Sequence, residues 1–151
     1  MQIPILPKIY SQQILLSSII TLGIPFFYGI YKKQYMFSSI LLSIILSSIN
    51  YWKDPVFGTR RTIDQLCVRY GIIYQNYTIW YYNIYPSEYY FIMGTGIVIY
   101  YISGLYNKSN YKISCKLHIL FHILVCFANI NILSKINICK TCHFPFLFYT
   151  E

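Results

Sequence analysis

Charge is what this chain has least of. Asp, Glu, Lys and Arg make up 11% of its 151 residues, against about 25% in an ordinary soluble domain. So little charge cannot coat a water-soluble globule. No cleavable leader is expected either. Met1–Lys8 shows no short apolar core followed by a small-residue cleavage site, so the first apolar segment is expected to stay in the mature protein. The cysteines number five, and an odd count excludes a complete disulfide framework. Cys67 and Cys126 fall in apolar runs and read as inert packing residues. The net charge is +8, yet no basic stripe or recognition motif accompanies it, which argues against nucleic acid as a partner. The basic residues sit singly in short loops, where they set topology and meet anionic head groups.

Hydrophobic residues, by contrast, make up 56%. They gather in runs of roughly the 17–25 residues that cross a hydrocarbon core. The chain therefore reads as one all-α membrane domain, a multi-pass transmembrane helical bundle. About five spans are expected, near residues 13–31, 36–52, 66–85, 89–106 and 117–134. Tyrosine is the commonest aromatic at 18 copies, and aromatic rings favour the membrane–water interface. The abundance of Ile, Tyr, Lys, Asn and Ser also matches an AT-rich genome and fits a viral source.

The second span is the cleanest. Its serines 38, 39, 43, 47 and 48 allow close helix approach and predict a central place. A polar loop, Lys53–Asp64, follows, with Pro55 and Gly58 marking turns. Thr62 and Gln65 read as a capping box opening the next helix. The third span carries Arg69, Gln75, Asn76 and Asn83, and is expected to face protein rather than lipid. Gly94, Gly96 and Gly104 suggest close packing of the fourth. With five crossings, one side collects Lys8, Lys53, Arg60, Arg61, Lys108, Lys112 and Lys116, and the other Lys32, Lys33, Lys135 and Lys140. The positive-inside bias then makes the first side, and with it the N-terminus, cytoplasmic.

Polar residues inside apolar runs need a reason to be there. His118 and His122 lie one turn apart on one helix face. Ser47 and Tyr51 close the second span, and Asp64 opens the third. Helix counting puts all five near the same side of the bilayer. Two imidazoles at this spacing suit a zinc ion, which with a third ligand leaves an open position for an activated water. In that role Asp64 orients the water and Ser47 meets a developing oxyanion. The plainer alternatives are helix-to-helix or head-group hydrogen bonds for the histidines, and helix capping or pairing with Arg60 or Arg61 for Asp64.

The pattern Ser47-x-x-x-Tyr51, Asp64, His118-x-x-x-His122 resembles that of the CREST membrane hydrolase superfamily, which includes the alkaline ceramidases and the progestin/adiponectin receptors. The resemblance implies a helical bundle holding zinc through three histidines and acting on lipid amides. Tyr51 stands where a zinc-binding histidine belongs, and five spans stand where the family has seven. The segment from Asn50 to Asp64 is also similar to small membrane proteins of giant viruses and algae. Separately, Cys139-Lys140-Thr141-Cys142-His143 has haem-attachment spacing, but local disulfide or free thiols fit its surroundings better. Lys53, Arg60 and Arg61, beside Trp52, suit anionic lipid head groups. The expected function is that of a structural or interaction protein in the membrane with a vestigial hydrolase-like cluster. The alternatives are a zinc-dependent lipid amide hydrolase and an anionic-lipid-binding module.

Overall fold

The computed structural model describes residues 6–107 and 109–136. Among them it shows five α-helices and no strand: α1 (Lys8–Tyr31), α2 (Tyr35–Trp52), α3 (Thr59–Tyr81), α4 (Ser87–Tyr106) and α5 (Tyr111–Lys135). Of these, α1, α2 and α5 are long and apolar enough to cross a membrane. They are also packed side by side, with α1 between α2 and α5. The more polar α3 lies against α2 and touches α5, while α4 packs on α5; the backbones of α3 and α4 do not meet.

Side-chain contacts show that the helices alternate in direction. At one end Tyr82 donates to Gln34, Lys32 to the Ile136 carbonyl, and Lys135 and Asn131 to Glu88. At the other end Cys115 reaches the Tyr10 carbonyl, and Ser103 donates to the Ser114 carbonyl. This second end gathers the starts of α1, α3 and α5 and the finish of α2. We call it the basic end.

Two helices stop by the same device. After α1, Lys33 takes a left-handed φ of 58°, and after α3, Asn83 takes 49°. Gln34 N then donates to Gly29 O at 2.8 Å, and Ile84 N to Ile79 O at 3.0 Å. These are Schellman caps, which satisfy carbonyls that the helix leaves open. In the second, Ile84 packs into the core beside Ile79, the apolar contact such caps favour. The cap at Asn83 ends α3 at Tyr81, short of the expected 85. Its start also differs. Gly58, at φ 133°, precedes a helix that begins at Thr59, so Thr62 lies inside the first turns and bonds back to the Gly58 carbonyl. The expected capping box at Thr62 and Gln65 is therefore not formed. Helices α1 and α5 begin before the expected spans because the helix runs on through polar turns at Lys8–Ser11 and Tyr111–Lys116.

The main core is apolar, with Leu22, Phe37, Leu41, Ile132 and Leu133 buried together. A smaller cluster at the basic end joins Leu6, Ile14, Tyr51, Trp52 and Cys115. Small residues set the closest approach. A side chain at Gly29 would collide with Ser38 of α2, whose hydroxyl donates to the Phe26 carbonyl at 3.1 Å. The outside is as apolar as the inside: Phe91 is 77% and Leu105 79% exposed on α4. That distribution suits a lipid surround.

Lys33 tests the cap. A non-glycine residue in the left-handed region costs on the order of 1 kcal/mol. Lys33→Gly is expected to raise the free energy of unfolding in detergent by about that amount, as read from thermal or denaturant melts. A fall in stability would contradict the cap.

Candidate functional site

His118 and His122 project from one face of α5, four residues apart. Their ring centroids are 4.9 Å apart and nearly perpendicular, at 88°. His122 is buried, and its Nδ1 lies 2.7 Å from Ser17 Oγ on α1. The Ser17 hydroxyl also lies 2.8 Å from the Ile14 carbonyl in its own helix. A carbonyl only accepts, so Ser17 gives its proton to Ile14 and receives one from His122 Nδ1–H. His122 thus clips α5 to α1.

His118, half-buried, sits among aromatic rings instead. Trp52 of α2 meets it edge-on at 5.0 Å, Tyr100 of α4 at 5.5 Å and Phe121 at 5.9 Å. The imidazole pair therefore contacts α1, α2 and α4 together.

Asp64 is held differently. It is buried on α3, and its Oδ1 accepts from Ser48 at 2.7 Å and Ser47 at 3.1 Å. The expected pairing with Arg60 or Arg61 does not occur. Among the described residues the one ion pair is Lys135–Glu88, and Arg61 lies over the Phe57 ring, 4.9 Å from its centroid. Helix capping does not occur either, because Asp64 lies beyond the first turn of a helix that opens at Thr59. Helix α2 touches both polar groups through successive turns. Ser47 and Ser48 hold Asp64, and one turn on Trp52 covers His118. No hydrogen bond joins Asp64 to either imidazole. Tyr51 is buried beside Trp52, with ring centroids 4.7 Å apart, in the apolar cluster with Cys115.

The five expected residues thus share the basic end, but they do not converge. Among the described residues no three His, Cys, Asp or Glu side chains are placed to hold a metal ion. Among the described residues the donor set does not fit a three-histidine zinc centre. Tyr51 occupies the third position inside an apolar cluster, and one nitrogen of His122 is taken by Ser17. Cys139, Cys142 and His143 lie outside the described residues. Cys67 is half-buried, and Cys126 is buried; both are free thiols.

The spacing of residues did not point to Ser17, Ser48, or a buried chain toward the end opposite the basic one. There Tyr89 donates to Gln75 Oε1, Gln75 Nε2 to Asn129 Oδ1, and Asn129 Nδ2 to the Val125 carbonyl, at 2.8, 2.8 and 2.7 Å. All three side chains are buried, and they tie α3, α4 and α5. Gln75 therefore faces protein as expected. Arg69 does not: it is exposed, one turn inside the expected third span.

No family model matches the chain, and neither does any curated protein or solved structure.

Asp64 stands ahead of the apolar stretch of α3. Burial pushes its carboxyl up from the ordinary 3.8, and the Ser48 and Ser47 hydroxyls pull it partly back. A carboxyl whose folded pKa is raised binds its proton more tightly when folded. Its contribution to stability is therefore greatest in acid. It falls as pH climbs from 3.8 through the raised value. Glu88 has the opposite sign, lowered by hydrogen bonds from Lys135 and Asn131. Glu88 is present in wild type and variant alike, so the difference between the two isolates Asp64. Asp64→Asn is expected to remove that decline, narrowing the stability gap between mildly acidic and neutral pH in detergent melts. An unchanged pH profile would contradict the burial of a charged carboxylate.

Proposed function

We propose that this chain is a multi-pass integral membrane protein with a structural or interaction role, crossing the bilayer five times from a cytoplasmic N-terminus. Its hydrolase-like residues are spent on joining helices. One observation carries the reading: neighbouring helices engage the polar groups that hydrolysis would need, two of them through hydrogen bonds and His118 through aromatic packing. His122 is bonded to Ser17, Asp64 to Ser47 and Ser48, and the half-buried His118 packs against Trp52, Tyr100 and Phe121. On this reading the likeness to the CREST pattern is a relic of descent, kept because the same side chains hold the bundle together.

Three apolar helices, alternating directions and the gathering of Lys8, Lys53, Arg60, Arg61, Lys112 and Lys116 at one end support the membrane placement and its orientation. The polar α3 and the tyrosine-rich α4 cross beside the apolar three, with α3 directing Gln75 inward.

Metal analysis of the purified full chain tests the proposal. Wild type and His118→Ala/His122→Ala are both expected to hold far less than one zinc per chain, and the variant to be the less stable of the two. Stoichiometric zinc that disappears in the variant would return the hydrolase reading to first place. Membrane placement is tested separately: the chain is expected to resist alkaline carbonate extraction, and release into the soluble fraction would contradict it.

A further inference from the structure

At the basic end a cleft of about 510 Å³ opens between the start of α1, the loop after α2 and the start of α5. Its wall includes Lys8, Ser11, Lys53, Asp54 and Tyr111. Lys8, Lys53 and Asp54 are exposed, and none of them forms an ion pair with a described residue. Two ammonium groups and one carboxylate therefore face a shared space without neutralising one another. No acidic residue occupies the first turn of α1, so the positive end of that helix adds to the field at the cleft mouth. Helix starts and the chain reversal at Lys53–Pro55 put the cleft at head-group depth if the bundle crosses as proposed.

We propose that this cleft seats the head group of a membrane phospholipid, with Lys8 and Lys53 holding the phosphodiester and Asp54 the ammonium of an ethanolamine-type head group. The inference rests on the membrane reading above and goes beyond it by naming the ligand chemistry. It also shifts the lipid contact from the expected Lys53, Arg60 and Arg61. Arg61 lies over Phe57, and neither arginine lines the cleft. The charge pattern selects the ligand. A purely anionic head group leaves Asp54 facing like charge, whereas a zwitterionic one gives each of the three side chains a partner. A primary ammonium donates hydrogen bonds to a carboxylate, and a trimethylated one cannot.

The test uses the full chain in detergent, with bound lipid counted by native mass spectrometry. The probes are short-chain phosphatidylethanolamine, phosphatidylcholine and phosphatidylglycerol. Wild type is expected to retain the ethanolamine lipid over the other two. Lys8→Gln/Lys53→Gln is expected to weaken all three, by about fivefold per lysine. Lys8→Arg/Lys53→Arg should restore binding. Asp54→Asn should abolish the preference for ethanolamine while sparing phosphatidylglycerol. Lys112→Gln/Lys116→Gln removes equal charge from the same end and should leave retention unchanged. Equal loss in the two glutamine pairs, or no head-group preference in wild type, would overturn the proposal. So would tighter binding of soluble O-phosphoethanolamine than of the lipid. Each variant is first checked for resistance to carbonate extraction, which distinguishes a lost head-group site from failure of the membrane reading.

Discussion

A polar side chain that leaves water must find its partner inside the protein, and this bundle is arranged around that demand. Hydrocarbon supplies no donor or acceptor, so an unpaired hydroxyl, amide or imidazole at depth is costly. Here several buried polar side chains answer one another across helices, while others, such as Ser11, Ser18 and Thr78, bond back to their own helix. Ser17 and His122 join α1 to α5, Ser47 and Ser48 join α2 to Asp64 of α3, and Gln75 joins Tyr89 of α4 to Asn129 of α5. The third link matters most for shape. The α3 and α4 backbones do not approach closely, so the two helices are joined through side chains, by the Tyr89–Gln75 and Tyr90–Asn76 hydrogen bonds.

The same demand limits the chemistry. A zinc hydrolase needs three ligands aimed at one point and a base beside the fourth position. The residues of this chain gather at one end of the bundle, but His122 and Asp64 are hydrogen-bonded to serines and His118 is packed among aromatic rings. Tyr51, packed against Trp52, removes the third nitrogen. Proximity at one end of a bundle is thus weaker evidence of a site than convergence. The chain can keep a catalytic-looking pattern while using it for cohesion, because the contacts that would orient a ligand also hold helices together.

Much of the fold was legible because long runs poor in charge mark the helices. Helix α2 was placed almost to the residue, since an uncharged run ends abruptly at Lys53. Helices α1 and α5 were placed but begun late. Hydropathy marks the stretch that needs lipid, whereas the helix itself continues through Lys8–Ser11 and Tyr111–Lys116. The end of α3 was missed because its stop signal is Asn83, which takes the left-handed position more often filled by glycine. Faces were readable and partners were not. Spacing put His118 and His122 on one side of α5, but nothing local reveals that Ser17, 105 residues away, is the group His122 meets. Asp64 and Ser47 were expected only at the same end of the bundle, and there they are hydrogen-bonded. Ser48, the shorter contact, lay in plain view as one more small serine.

The central claim is that His122 acts as a helix clip. It is tested most directly by a double-mutant cycle on Ser17→Ala and His122→Phe, measuring unfolding in detergent with a metal chelator present. The account predicts a coupling near 0.6 kcal/mol, and at most about 1.7, as for other interhelical hydrogen bonds in membrane proteins. Additive effects of the two substitutions, or a coupling that appears only when zinc is supplied, would contradict it.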